Sequence, residues 1–432
     1  MYDSYVFVYW HCLSQTIMIK FIKEKTVAAL KWSEKYTKTD MVYLAKGGFW
    51  LSLNQGISSL GALILSIAFA NLLPKESFGI YKYVLSVCSI LMIPSLNGIL
   101  TSFNRSVAMG NEGDLKEGLK TQIKWSLIGS GASIAIALYY FLQQNQTLFF
   151  CFLIAAIFLP IFSNFNIYTS LLNGRKNFRL FSLLGISEVI FGVIVIISTL
   201  IFTKNPILIV FAYFIAYSLI RVVFLFRTLK KYPPNDSKDP EMISYGKHLT
   251  VMKIVSEIYK YIDKILVFHY VGAAGLAIYS IATSAPSQLS NLMNQIGVLA
   301  FPKYAQSNKD QALKSLKSKI IILEIFSIAA LIFYVVVAPV VFKLIFPKYL
   351  ESVFYSQIFA ISLLAVPSII PSTILYAQKE TKKLYKANIV MPIINIIIVF
   401  VSVQFGLMGI IIGKIINSFL DFAILTILAK NP

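Results

Sequence analysis

Four charged side chains, Lys253, Glu257, Lys260 and Lys264, recur at spacings of four, three and four inside an apolar stretch. On a helix of ~3.6 residues per turn that spacing gathers all four within an arc of about 60°. Ser256 and Asp263 border the arc, and Ile254, Ile258, Ile262 and Ile265 fill the other side. Three ammonium groups tempered by one carboxylate suit a multiply charged anion such as a diphosphate. The same spacing also permits internal pairing on a helix that is merely amphipathic. An uncharged row follows in the next stretch: Ser280, Ser284, Gln288, Asn291 and Gln295, with Ser287 and Asn294 beside it. Such groups can exchange hydrogen bonds with sugar hydroxyls, or simply tie helix to helix. Upstream, Asn54, Gln55, Ser58, Lys82, Ser89 and Arg105 are candidates for an opposing wall, and Arg105 is equally suited to anchoring a helix end at a membrane interface. Glu188 and Glu324 stand isolated in apolar runs, each either a proton-coupling site or a protonated, hydrogen-bonded carboxyl. Lys414, Asn417 and Asp421, spaced three and four, predict an intramembrane ion pair, with Asp421 a third coupling candidate.

The elements that must carry these groups are membrane-spanning helices. Hydrophobic residues make up 57% of the 432, charged residues 13%, and the mean hydropathy is +0.73. A soluble domain carries roughly 25% charged residues. The apolar residues fall in long runs rather than in stripes or alternating segments, which points to helices and excludes a barrel. Twelve spans are expected, at 47–70, 79–101, 123–142, 148–172, 181–202, 206–226, 248–270, 274–300, 319–342, 352–376, 387–404 and 406–429.

The net charge of +20 is not a nucleic-acid signal, because the basic residues sit in the links between runs. One alternate set of links, with the two ends of the chain, holds 29 Lys and Arg; the other holds four, Lys75, Lys204, Lys343 and Lys348. The asymmetry predicts that both termini are cytoplasmic. The links are at most about twenty residues long, so no extramembrane domain is expected and the work must be done within the membrane. Neither the three cysteines nor the three histidines have metal or redox spacing, and no cofactor is implied. Before the first span, residues 1–46 read as a cytoplasmic amphipathic segment. Translation from Met18 would exclude residues 1–17, whose apolar run precedes its positive charges instead of following them.

The chain also repeats itself. Phe78–Ser86 aligns with Leu276–Ser284 at an offset of 198, and Ala108, Asn111, Leu119 and Lys120 match Ala305, Asn308, Leu316 and Lys317 at 197. Six spans separate the matches, an even number, so the expected architecture is all-α. It has two six-helix bundles, 47–226 and 248–432, in parallel pseudo-repeat around a central cavity and joined by a cytoplasmic linker, 227–247. Gly409-Ile-Ile-Ile-Gly413-Lys414 resembles a phosphate loop by letters but lacks the spacing and the strand. It reads as a small-residue helix contact.

Tyr43–Leu51, Leu72–Tyr81, Ser95–Gly98 with Asn104-Arg105, and Tyr261–Lys264 through Gly275–Tyr279 resemble oligosaccharide flippases of the multidrug/oligosaccharidyl-lipid/polysaccharide exporter superfamily. Gly79, Arg105, Asp263 and Tyr279 are the firmest of these matches, while Asn97 stands where a small apolar residue is more usual. The resemblance covers residues 41–429 and implies alternating access for a polyprenyl-diphosphate-linked oligosaccharide moved to the outer leaflet, in a bacterial cytoplasmic membrane. Membrane lipids and polysaccharide polymerase machinery are the implied partners. A drug or organic-cation antiporter is the alternative, disfavoured because three lysines share one stripe. A membrane glycosyltransferase or polymerase would need an outer loop large enough for catalytic groups.

Overall fold

In a computed structural model of the chain, residues 41–306, 309–378 and 380–430 are described; residues 1–40 of the expected amphipathic segment and the Met18 start lie outside them, while 41–46 open the first helix. Each of the twelve expected spans is a helical rod. In chain order these are α1 (Met41–Leu72), α2 (75–108), α3 (Leu115–Leu142), α4 (Gln146–Gly174), α5 (Phe178–Phe202), α6 (Pro206–Lys231), α7 (Met242–Tyr270), α8 (Ala273–Gln306), α9 (Lys309–Ile345), α10 (Ser352–Ala377), α11 (381–405) and α12 (Gly406–Lys430). Most run past the apolar cores used to place them; α3 starts at Leu115 rather than 123, and α7 at Met242 rather than 248. Helix propensity and intrahelical hydrogen bonding continue beyond the point where apolarity ends.

Local chemistry sets the ends and bends. Asn145, Asn177 and Asn205 each begin a helix by accepting a backbone N–H on the side-chain oxygen, at 3.1, 3.2 and 2.9 Å, and Pro206 follows the last at the first helical position. α2 bends by 41° at its 3₁₀ turn, Ile93–Ser95. α4 and α10, equivalent rods in the two halves, both contain proline, at Pro160 and Pro367. Gly406 turns α11 into α12 at φ +70°, where other residues are strained. Gly409 and Gly413 lie directly against Ser402, making the expected small-residue contact. Among the described residues, eight stretches are long and apolar enough to span, one of them containing both α11 and α12, and bent α2 makes a ninth. α7 and α8 fall short of that measure because of their polar rows.

Helix packing repeats with a shift of six. In the first half α1 packs on α5, α3 on α4, α4 on α6 and α5 on α6. In the second α7 packs on α11, α9 on α10, α10 on α12 and α11 on α12. The halves meet mainly through α2, whose first part, Lys75–Leu91, lies on α8 and α7 and whose second part, Gly98–Ala108, lies on α7.

One end of the bundle carries most of the Lys and Arg of the links and is called the basic end; the other is the charge-poor end. At the basic end the interhelical linker is strapped to the first half. Glu112 takes two hydrogen bonds from Arg175, at 2.5 and 2.6 Å, and one from the Asn235 backbone. Arg175 also donates to the carbonyls of Tyr232 and Pro233. Gly113 N–H reaches Ser237 O at 2.7 Å, and Asp114 accepts from Asp239 N at 2.6 Å. The Arg175 hydrogen bonds hold the Glu112 carboxyl below its usual range, with burial working against them.

Candidate functional site

Between the halves lies a cavity of about 270 Å³ whose wall is built from α2, α4, α6 and α7. α2 contributes Lys82, Ser86 and Ser89, which share one helix face at spacings of four and three. α7 contributes Tyr261 and Lys264 across from it, and Phe162 and Tyr213 close the side. The hydroxyls of Ser86 and Ser89 donate to Lys82 O and Leu85 O on their own helix, both at 2.8 Å, so towards the cavity they are acceptors. Lys82 lies over the Phe78 ring and Lys264 over Tyr261, with amine-to-centroid distances of 5.3 and 5.4 Å. Among the described residues neither amine has a carboxylate within ion-pair distance. Two ammonium groups from opposite halves therefore face one space. An anion taken between them would touch both halves at once.

Asp263, next to Lys264 in sequence, is not its ion-pair partner. Its carboxylate is turned away, accepting from Tyr279 OH at 2.7 Å and pairing with Lys414 at 3.2 Å. This corrects one expectation: Lys414 pairs across helices with α7, not along α12 with Asp421. A carboxylate on the facing helix is closer than one two turns away. Asp421 instead accepts from Asn395 Nδ2 at 3.0 and 3.3 Å. Asn417 bridges to Asn395 O at 3.0 Å and Tyr259 OH at 3.3 Å, so one polar network joins α7, α8, α11 and α12.

The α7 row is divided. Lys264 alone of the four lines the inter-half cavity; Lys260 pairs with Glu257 at 2.7 Å and is exposed, as is Lys253. Eleven residues of helix separate Lys253 from Lys264, roughly 16 Å along the axis, more than one small cavity spans. From the α8 row, Asn291 lines a second cavity of about 260 Å³ inside the second half, with Ser287, Asn294, Ser418 and Asp421. Ser284 and Gln288 are partly buried and line neither cavity, and the side chain of Gln295 lies outside the described residues.

The remaining candidates scatter. Asn54 packs on α5, where a Cβ at Gly185 would lie 2.8 Å from its Oδ1, instead of joining Lys82. Arg105 is exposed at the basic end, over the Tyr245 ring at 5.5 Å, beside an open recess of about 470 Å³ lined also by Thr101, Asn104 and Ser170. Glu188 is not isolated: Arg221 of α6 pairs with it at 2.8 Å and Tyr168 OH donates to it at 3.3 Å. The single-helix view hid this, because the partner lies 33 residues away. Arg221 also donates to Phe162 O and stacks on the Phe162 ring at 4.3 Å, so this pair positions one wall of the inter-half cavity. Glu324 was expected either to couple protons or to be hydrogen-bonded; its Oε2 is buried and finds no hydrogen bond among the described residues.

The halves are closed against each other at the charge-poor end. Asn71 Nδ2 donates to Ile345 O at 2.8 Å, Lys348 to Asn71 O at 2.7 Å, and Lys75 pairs with Glu351. A Cβ on Gly79 would lie 2.9 Å from Ala273 Cα and nearer still to its carbonyl.

The sequence profile of the polysaccharide biosynthesis protein family matches residues 44–308, more than half of the chain. The chain belongs to that family. No curated protein matches the sequence. Among solved structures, an inward-facing multidrug resistance MATE family transporter of the MOP superfamily is 14% identical, with 89% of this chain and 98% of that one covered at a TM-score of 0.61. The lipid II flippase MurJ, in an inward closed conformation, is also 14% identical, covering 88% and 87% at 0.61. A MOP superfamily transporter from Pyrococcus furiosus is 13% identical, covering 89% and 97% at 0.54. At these identities the likeness is one of fold: this multi-pass membrane protein of the polysaccharide biosynthesis family has the two-bundle architecture of the MOP transporters.

Proposed function

We propose that the protein is a flippase that carries a polyprenyl-diphosphate-linked oligosaccharide from the inner to the outer leaflet of the bacterial cytoplasmic membrane. The observation that carries this reading is the pair Lys82 and Lys264, one from each half, with no carboxylate partner among the described residues and a cavity between them. A net local charge of about two suits a diphosphate, and each charge-assisted hydrogen bond contributes roughly 1.5–3 kcal/mol. A ligand that bridges the halves favours one arrangement of them over another, as alternating access requires. The lysines and arginines gathered at the basic end support a cytoplasmic position for it. Lys260 and Lys253 then continue the α7 face from the cavity towards that side, so an entering headgroup meets cations along its route, with Glu257 limiting their repulsion. The sugars reach the amides and hydroxyls beyond, while the polyprenyl chain stays in lipid. The family and the fold point to transport rather than catalysis, and an organic cation does not suit two facing ammonium groups.

The test is flipping of a polyprenyl-diphosphate oligosaccharide in proteoliposomes. Lys82→Gln and Lys264→Gln should each slow it at least about tenfold, and the double variant should be inactive while still inserting. Exposed Lys116→Gln should match wild type. Wild-type flipping by the double variant would overturn the reading.

A further inference from the structure

The last turn of α7 ends in a histidine that touches the other half. His269 Nε2 lies 3.2 Å from the hydroxyl of Tyr83 on α2, and that hydroxyl lies 2.7 Å from the hydroxyl of Tyr140 on α3. The Tyr83 ring stacks on Phe268 with centroids 3.9 Å apart and meets the His269 ring edge-on at 5.4 Å. Tyr83 and Tyr140 are buried, whereas His269 is exposed. Gly79, one turn along α2 from Tyr83, makes the close backbone approach to Ala273, so this cluster is part of the charge-poor closure.

Counting donors shows what a proton would do there. With His269 neutral and its proton on Nδ1, Nε2 accepts from Tyr83, whose oxygen accepts from Tyr140, and every group in the chain is used. With His269 protonated, Nε2 must donate to Tyr83. Three protons then share two contacts, so one tyrosine hydroxyl, that of Tyr83 or of Tyr140, is left without an acceptor among the described residues. Among the described residues no carboxylate lies beside His269 to compensate the new charge. The titratable groups facing His269 are Tyr83 from α2 and Tyr140 from α3; α11 brings Phe400, beside Tyr270, and has no ionisable side chain in its outer half. On α8 the first ionisable group is Tyr279, which is committed to Asp263; on α7 the phenol of Tyr270 adjoins His269, and Lys264 lies more than a turn away.

We propose that this contact is a proton-sensitive latch: neutral His269 fastens the two halves at the charge-poor end, and its protonation releases them. Of the uncharged side chains, histidine is the one that gains a proton most readily on mild acidification, so acid is the signal this contact would read. With the orientation proposed above, the latch responds to the acidity outside the cell. Its operation does not depend on what is transported, so conformation and flipping are tested separately.

Lys204 and Gln404, exposed at the charge-poor end of the first and second halves, serve as spin-label sites after replacement by cysteine in a background without the native cysteines. Distances between them are measured in detergent at pH 8 and pH 5.5. The ratio of separated to closed molecules should rise about tenfold on acidification. His269→Gln should abolish the response. So should Tyr83→Phe, which keeps the ring on Phe268 and stands in should the histidine variant not fold. Unchanged wild-type distances, or a pH response that survives in either variant, would overturn the latch. His248, the other described histidine, lies near Tyr385 at 3.4 Å on α11, and is left intact in both variants.

Discussion

Replacing Gly79 with alanine puts a methyl group where the turn between α7 and α8 already lies. The added carbon would stand 2.9 Å from Ala273 Cα, against an ordinary carbon–carbon contact of ~3.5–4.0 Å, and closer still to the carbonyl. The obstacle is backbone, which cannot swing aside as a side chain can, so α2 must retreat by about 1 Å or the closure must open. Overpacking of this kind costs about 1–3 kcal/mol. The cost falls only on the state in which α2 and the turn touch. The separated state should therefore gain about 5- to 150-fold relative to the closed one. The Lys204–Gln404 label pair reads this directly: Gly79→Ala should show the longer distance even at pH 8, with insertion and yield like wild type. Flipping should fall because the empty carrier no longer returns to the closed arrangement. A Gly79→Ala protein with the wild-type distance distribution would refute the reasoning, since it would mean that Gly79 and Ala273 do not define the closure.

Arg221→Met removes one partner of a mostly buried ion pair and should destabilise the first half by about 3–5 kcal/mol, seen as a lower melting midpoint in detergent. Adding Glu188→Gln should recover much of the loss, because no uncompensated charge then remains. At the basic end, the Glu112 carboxyl titrates below its ordinary value of 4.5. Its contribution is therefore full above that value and is lost as pH falls through the lower one. Hydrogen exchange of residues 232–241 should quicken on acidification past that point in wild type, and be fast and less pH-dependent in Glu112→Gln. Reporter fusions active only outside the cytoplasm should work at Gln144 and Asn205 and be silent at Asn111 and Asn235; the reverse pattern would invert the proposed orientation.

Hydropathy made the twelve rods legible because each apolar run must satisfy its own backbone hydrogen bonds in lipid, and a helix is the available way. The repeat was visible for the same reason: equivalent helices meet equivalent neighbours. What could not be read was which helix faces which. The α7 row fixes Lys253, Glu257, Lys260 and Lys264 on one face, but only packing reveals that Lys264 meets Lys82 while Lys260 stays with Glu257. Pairs such as Glu188 with Arg221 and Asp263 with Lys414 join residues far apart in sequence, where periodicity carries no information. Motif resemblance filled part of that gap. Gly79 lies at the contact between halves and Asp263 and Tyr279 bond each other, although the residues alone gave no role to any of them.

The strap at the basic end has a mechanical meaning. With Tyr232 to Asp239 tied to Glu112, Gly113, Asp114 and Arg175, hardly any free chain remains before α7 begins at Met242. Ser102 Oγ then donates to Met242 O at 2.6 Å, so the first residue of the second half is itself pinned to α2. Two bodies joined by so little slack cannot drift apart at that corner; they can only turn about it. Rotation about a corner near one face produces its largest displacement at the opposite face, by simple leverage. A small change of angle at the linker is thereby magnified at Lys75, Gly79 and His269, where the halves part.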